Sequence, residues 1–77
     1  MSIQEYNYLL KKQNYKCLIC HSKQKDLLQK LSVDHNHKNG KIRGLLCDRC
    51  NRGLGYFKDN LVNLTSAINY LKKNETK

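Results

Sequence analysis

Cys17-Leu18-Ile19-Cys20 and Cys47-Asp48-Arg49-Cys50 form two CxxC pairs, 26 residues apart, that hold every cysteine in the chain. Two residues between ligands let a tight turn aim both sulfurs at one ion. Four thiolates satisfy the tetrahedral preference of zinc and leave no coordination position open. A closed site cannot activate water, so an ion held at Cys17, Cys20, Cys47 and Cys50 is structural. A chain of 77 residues allows one domain, residues 1–77, and buries too little apolar surface to be comfortable without a cross-link, a metal or a partner. A redox reading of the CxxC pairs would want a thioredoxin-like βαβ context, which the sequence lacks. Disulfides do not persist in a reducing compartment, so zinc ligation is the expectation, and folding should depend on it.

The pattern around this staple predicts a small α+β unit. Ser2 and Glu5 make a capping-box pair ahead of Ile3, Tyr6, Leu9 and Leu10, one apolar face of a short helix ending near Gln13 or Asn14. Residues 21 to 30 read as a polar connection. Leu31 to His35 alternate as a half-buried strand does, and Ile42 to Leu46 supply a second apolar run. Asn39-Gly40 between them signals a hairpin. From Cys47 to Leu54 there is no β-branched residue, and Gly53 and Gly55 read as stop signals, so strand, strand, helix is the expected order. Asn60 can cap a last helix with Leu61, Leu64, Ala67, Ile68 and Leu71 on one side, fraying from Asn74 to Lys77.

Fifteen Lys plus Arg against six Asp plus Glu give a net charge of +9. Four thiolates and one zinc ion lower this only to +7, so a polyanion is the natural partner. No stretch approaches the roughly 18 apolar residues of a membrane span, and Met-Ser-Ile-Gln-Glu lacks the regions of a signal peptide. A cytoplasmic chain with no membrane partner is expected.

Between the two knuckles lies Asp34-His35-Asn36-His37, and Asn51 follows the last cysteine. Carboxylate and carboxamide oxygens are hard ligands suited to Mg²⁺ or Mn²⁺. An imidazole, with an ordinary pKa of about 6.5, can take a proton from water. These are the parts of a phosphodiester hydrolase. A lone His would more often be a surface residue and a lone Asn a helix-start residue; here they stand together with the cysteine spacing. Arg43, Arg49 and Arg52 flank the constellation as candidate phosphate contacts, with Arg52 equally a solvated helix residue. His21 reads as surface, and Asn36 and Asn39 are candidates for shaping the hairpin loop.

The runs KCLIC, VDHNH and KIRGLLCDRCN closely resemble the phage recombination endonuclease VII group of HNH nucleases, over roughly Tyr15 to Gly55. The resemblance implies a zinc-stapled ββα-metal (His-Me finger) fold with flanking helices and a DNA endonuclease using a single metal. It implies that Asp34 and Asn51 hold Mg²⁺ or Mn²⁺, that His35 is the general base and that His37 lies near the scissile phosphate. A phage origin, and with it the host cytoplasm, is implied in the same way. Two departures bear on what is inherited. Leu54 stands where the family can have a carboxylate, and the long regions that build a dimer in junction-resolving members are missing. Nicking or structure-directed cleavage is expected, with specificity supplied by a homodimer or a partner protein. The competing function is a non-catalytic zinc module that binds nucleic acid through its basic surface.

Overall fold

The computed structural model describes residues 1–75. Helix α1 (Ile3–Lys12) begins with the expected capping box: Ser2 Oγ accepts from the Glu5 N–H at 3.1 Å, and Glu5 Oε1 accepts from the Ser2 N–H at 3.2 Å. Gln13 caps its end, and Asn14 and Tyr15 turn the chain at φ 57° and 60° into the first cysteine pair. Residues 21–30, the expected polar connection, carry a short 3₁₀ turn at Gln24–Asp26 and a bridge from Lys16 to Lys23.

Strands β1 (Ser32–His35) and β2 (Ile42–Leu46) pair antiparallel. Their loop is longer than a two-residue Asn-Gly turn. The Asn36 N–H donates to the Lys41 carbonyl at 2.8 Å, and Asn36 Oδ1 accepts from the N–H groups of Lys38 and Asn39. Asn39 Oδ1 accepts from the Lys41 N–H, and Gly40, at φ 73°, closes the turn. Both asparagines therefore shape the loop, as Asx residues do in turns.

Helix α2 (Asp48–Tyr56) starts at Cys47, whose sulfur accepts from the Cys50 N–H at 3.4 Å. It runs through Gly53 and Gly55, correcting their reading as stop signals. The stop lies further on, at Lys58 and Asp59, with φ 53° and 55°. Helix α3 (Leu61–Glu75) follows, capped by Asn60 Oδ1 accepting from the Asn63 N–H at 2.9 Å. Asn74 and Glu75 are helical rather than frayed; residues 76 and 77 lie outside the described residues.

The core is a compact cluster of Leu10, Leu31, Leu45 and Leu46 with Cys17 and Cys47, edged by Tyr6, Leu9, Leu27, Val33 and Leu54. Two of the four cysteines are thus core residues, and the expected staple sits where the leucines run out. Helix α3 buries no residue. It extends the molecule to 46 × 30 × 19 Å with a radius of gyration of 14.3 Å, against about 11.5 Å for a compact chain of this length.

Candidate active site

The local geometry of the hairpin decides what faces what. Ser32, Val33 and Asp34 pair with Leu46, Leu45 and Gly44, but His35 pairs with Ile42. Arg43 is therefore the extra residue of a β-bulge, a device that re-aims side chains at functional edges. Asp34 is 7% exposed, the one buried charged side chain among the described residues, whereas His35 beside it is exposed. Strand alternation thus holds across the pair, and the bulge lies opposite their junction.

Arg43 turns onto Asp34 as a bidentate fork. Nε donates to Oδ2 at 2.7 Å and Nη2 to Oδ1 at 3.0 Å. Nη2 also donates to Asp59 Oδ2 at 3.3 Å, and His37 Nε2 lies 3.8 Å from that same oxygen. The hydrogen bonds it donates to Asp34 hold the Arg43 guanidinium above its ordinary pKa, with the Asp34 and Asp59 charges adding to the effect. Asp34, Arg43 and Asp59 form one chain of charge-assisted hydrogen bonds, with the His37 ring beside its outer end.

Asn51 occupies the first half of α2, half-buried, with its N–H donating to the Cys47 carbonyl at 2.9 Å. Among the described residues no side-chain hydrogen bond links Asn51 or His35 to Asp34. Arg49 lines a separate cavity with Leu27, Leu28 and Asp48, and Arg52 pairs with Asp48 at 3.1 Å one turn away on α2. Of the three arginines, only Arg43 reaches the Asp34 cluster. Leu54 lines a small hollow beside Asp34, Arg43 and Gly44.

A larger cleft of about 800 Å³ opens between the hairpin loop and the α2–α3 turn. Arg43, His37, Lys38 and Lys58 line it with Asp59 and Asn60. Asp59 is the residue that sequence reasoning missed. Its signal was weak, a single acid after a helix, and only the reversal at Lys58 and Asp59 carries it to Arg43.

The four sulfurs of Cys17, Cys20, Cys47 and Cys50 lie within 4.8 Å of one another, as donors to one tetrahedral ion must. Ser22, through its hydroxyl and backbone, pulls the Cys20 thiol down to about 5, and the two side-chain atoms are 3.1 Å apart. Desolvation, helped by the neighbouring thiols, pushes Cys50 up to about 12. For Cys17, burial opposes ionisation, but backbone hydrogen bonds from Cys20, Cys47 and Ile19 outweigh it and lower its pKa. The donor set fits a soft-tolerant, tetrahedral cation such as zinc. Asp34 and Asn51 offer hard oxygen donors, which suit Mg²⁺ or Mn²⁺. The guanidinium already seated on Asp34 marks that carboxylate as a seat for positive charge.

Fold and site define a small α+β protein in which a tetrathiol cluster ties the segment after α1 to the junction of β2 and α2, with a buried carboxylate beside an exposed imidazole on the first strand. A family profile described as recombination endonuclease VII matches residues 1–73, and the chain belongs to that family. It is 40% identical over 74 residues to the Gene 59 protein of Mycobacterium phage D29, covering 95% of this chain and 44% of that protein. It is 41% identical over 68 residues to the Gene 59 protein of Mycobacterium phage L5, covering 87% and 41%. The chain thus spans less than half the length of these phage relatives. No helix among the described residues is long and apolar enough to cross a membrane.

Proposed function

We propose that this chain is a metal-dependent DNA endonuclease of the HNH (His-Me finger) type, hydrolysing phosphodiester bonds with His35 as general base. The observation that carries the reading is the buried Asp34 carboxylate on β1 next to the exposed His35 imidazole, on a hairpin fastened to α2. Family membership supports the same class of activity.

In this reading Asp34 and Asn51 hold Mg²⁺ or Mn²⁺. A cation held by these two side chains would supply Lewis acidity to the phosphate and charge stabilisation to its leaving oxygen. His35, on the exposed face, accepts a proton from the attacking water as the P–O3′ bond breaks and the leaving oxygen takes a proton from solvent, so the products carry a 5′-phosphate and a 3′-hydroxyl. His37 stands near the scissile phosphate. Arg43, Lys38 and Lys58 offer the strand a cationic cleft, and Arg49 and Arg52 contact phosphates further along. Zinc at the four cysteines serves structure alone. DNA is the substrate, nicked or cut by structure, with a homodimer or a partner protein supplying specificity in the host cytoplasm of a phage.

The test is cleavage of supercoiled plasmid with Mg²⁺ or Mn²⁺ by the wild-type chain and by His35→Ala. General-base catalysis is worth about 10²–10⁴-fold, so the variant should lose cleavage by that factor with an unchanged melting curve. Asn51→Ala should lose cleavage and still bind DNA. DNA binding that weakens steeply with salt, without cleavage by the wild-type chain, would return the protein to the non-catalytic zinc-module reading.

A further inference from the structure

Arg43 divides one guanidinium between two carboxylates that come from different parts of the fold. Asp34 takes both Nε and Nη2, while Asp59 takes Nη2 alone at 3.3 Å. The two oxygens of Asp34 that accept the fork are the oxygens a metal ion would need, so guanidinium and ion compete for them. Two carboxylates against one guanidinium leave the cluster one negative charge in excess, enough to retain Arg43 elsewhere when Asp34 is engaged.

Asp59 is placed for that task. The reversal at Lys58 and Asp59 fixes its backbone, and its N–H donates to the Leu54 carbonyl at 3.0 Å. Its carboxylate is 24% exposed and already touches Arg43, whose side chain is 34% exposed.

We propose that Asp59 is a positioning residue: on engagement of Asp34 with a divalent cation, Arg43 passes from Asp34 to Asp59 and stays paired at the edge of the cleft. This rests on the reading of Asp34 as the metal ligand. Without Asp59, the displaced guanidinium would sit unpartnered beside an ion of its own sign. Arg43 would then hold Asp34 more tightly and keep the ion out. With Asp59, its exit toward the cleft leaves a cation facing the phosphates that enter there.

The experiment is calorimetric titration of Mn²⁺ into the zinc-loaded full chain without DNA. Mn²⁺ prefers oxygen donors and leaves the thiolates alone. Asp59→Asn is the variant of choice, because Asn tolerates the left-handed backbone as well as Asp does. Loss of a charge-assisted partner for Arg43 should weaken Mn²⁺ binding about tenfold. Arg43→Ala removes the competitor and should tighten binding, and adding Asp59→Asn to it should cost less than about threefold, the effect of screened charge alone. Equal penalties in the two backgrounds overturn the proposal, since Asp59 would then act as a ligand or through space. No effect of Asp59→Asn in either background overturns it as well. Asp34→Asn separates the two readings. If it leaves Mn²⁺ binding intact, or if the wild-type chain binds no Mn²⁺, the metal role of Asp34 falls and this proposal with it.

Discussion

Replacing Gln13 by Ala should destabilise the protein by about 2–4 kcal/mol, although the residue lies at the end of a surface helix. The Gln13 carboxamide acts as one more residue of strand: Oε1 accepts from the Leu45 N–H at 2.9 Å, and Nε2 donates to the Leu45 and Lys16 carbonyls at 3.0 and 2.9 Å. The three bonds are unequal. The Leu45 carbonyl keeps a second donor, the Leu18 N–H at 3.3 Å, and Lys16 is only half-buried, so water can replace Gln13 there. Leu45 is wholly buried, and its N–H would be left without an acceptor, which costs about 1–3 kcal/mol. The two weaker losses add about 1 kcal/mol together. A domain of this size holds about 4–12 kcal/mol of stability in all, and at about 4–8 °C per kcal/mol the melting temperature should fall by about 8–30 °C. Thermal unfolding followed by circular dichroism at saturating zinc measures it. A shift under about 3 °C would refute the idea that this amide completes the sheet edge.

Three further outcomes are expected. Chelating the metal should unfold the hairpin and α2 together, because two core thiols and two at its edge then lose their common partner; retention of the wild-type melting curve would contradict the structural role of the cluster. Ser22→Ala should raise the pH at which acid releases the metal and unfolds the chain. The Cys20 thiol, held at about 5 against about 8.5 unfolded, contributes stability that is complete above the unfolded value and lost as pH falls through the folded one; without the hydroxyl that contribution is smaller and is exhausted at a higher pH, and an indicator dye for freed zinc reads the midpoint. Gly44→Ala should cost about 1–2 kcal/mol in urea unfolding, since a Cβ there would meet Leu18 Cδ1 at 2.5 Å and Gln13 Oε1 at 3.3 Å; Leu18→Ala in the same chain should restore part of it, and no recovery would mean that the Leu18 contact is not the cause.

What the sequence made legible follows the range of the interactions. The capping box at Ser2 and Glu5, the alternation at Leu31 to His35, the apolar run at Ile42 to Leu46 and the cysteine spacing all act over a few residues, and each stands in the structure close to where the pattern predicts it. Asp34 and His35 could be singled out because their residue types are conspicuous beside a metal staple. Three features escaped. The pairing of Gln13 with Leu45 joins residues 32 apart in sequence through an amide that looks like any polar helix end. The bulge at Arg43 arises from a register change that no single residue type marks. Asp59 depends on two consecutive left-handed residues, Lys58 and Asp59, neither of which is glycine. Gly53 and Gly55 misled for the opposite reason: each has open space where a side chain would stand, and the helix passes through them.

Helix α3 lends no apolar surface to the core, and fifteen residues are close to the limit at which a lone helix survives in water. Its order should therefore melt gradually and on its own, while the metal-stapled body unfolds in one sharp step. Amide hydrogens of Leu64 to Leu71 should exchange with solvent far faster than that of Leu45, whatever the occupancy of the thiol cluster.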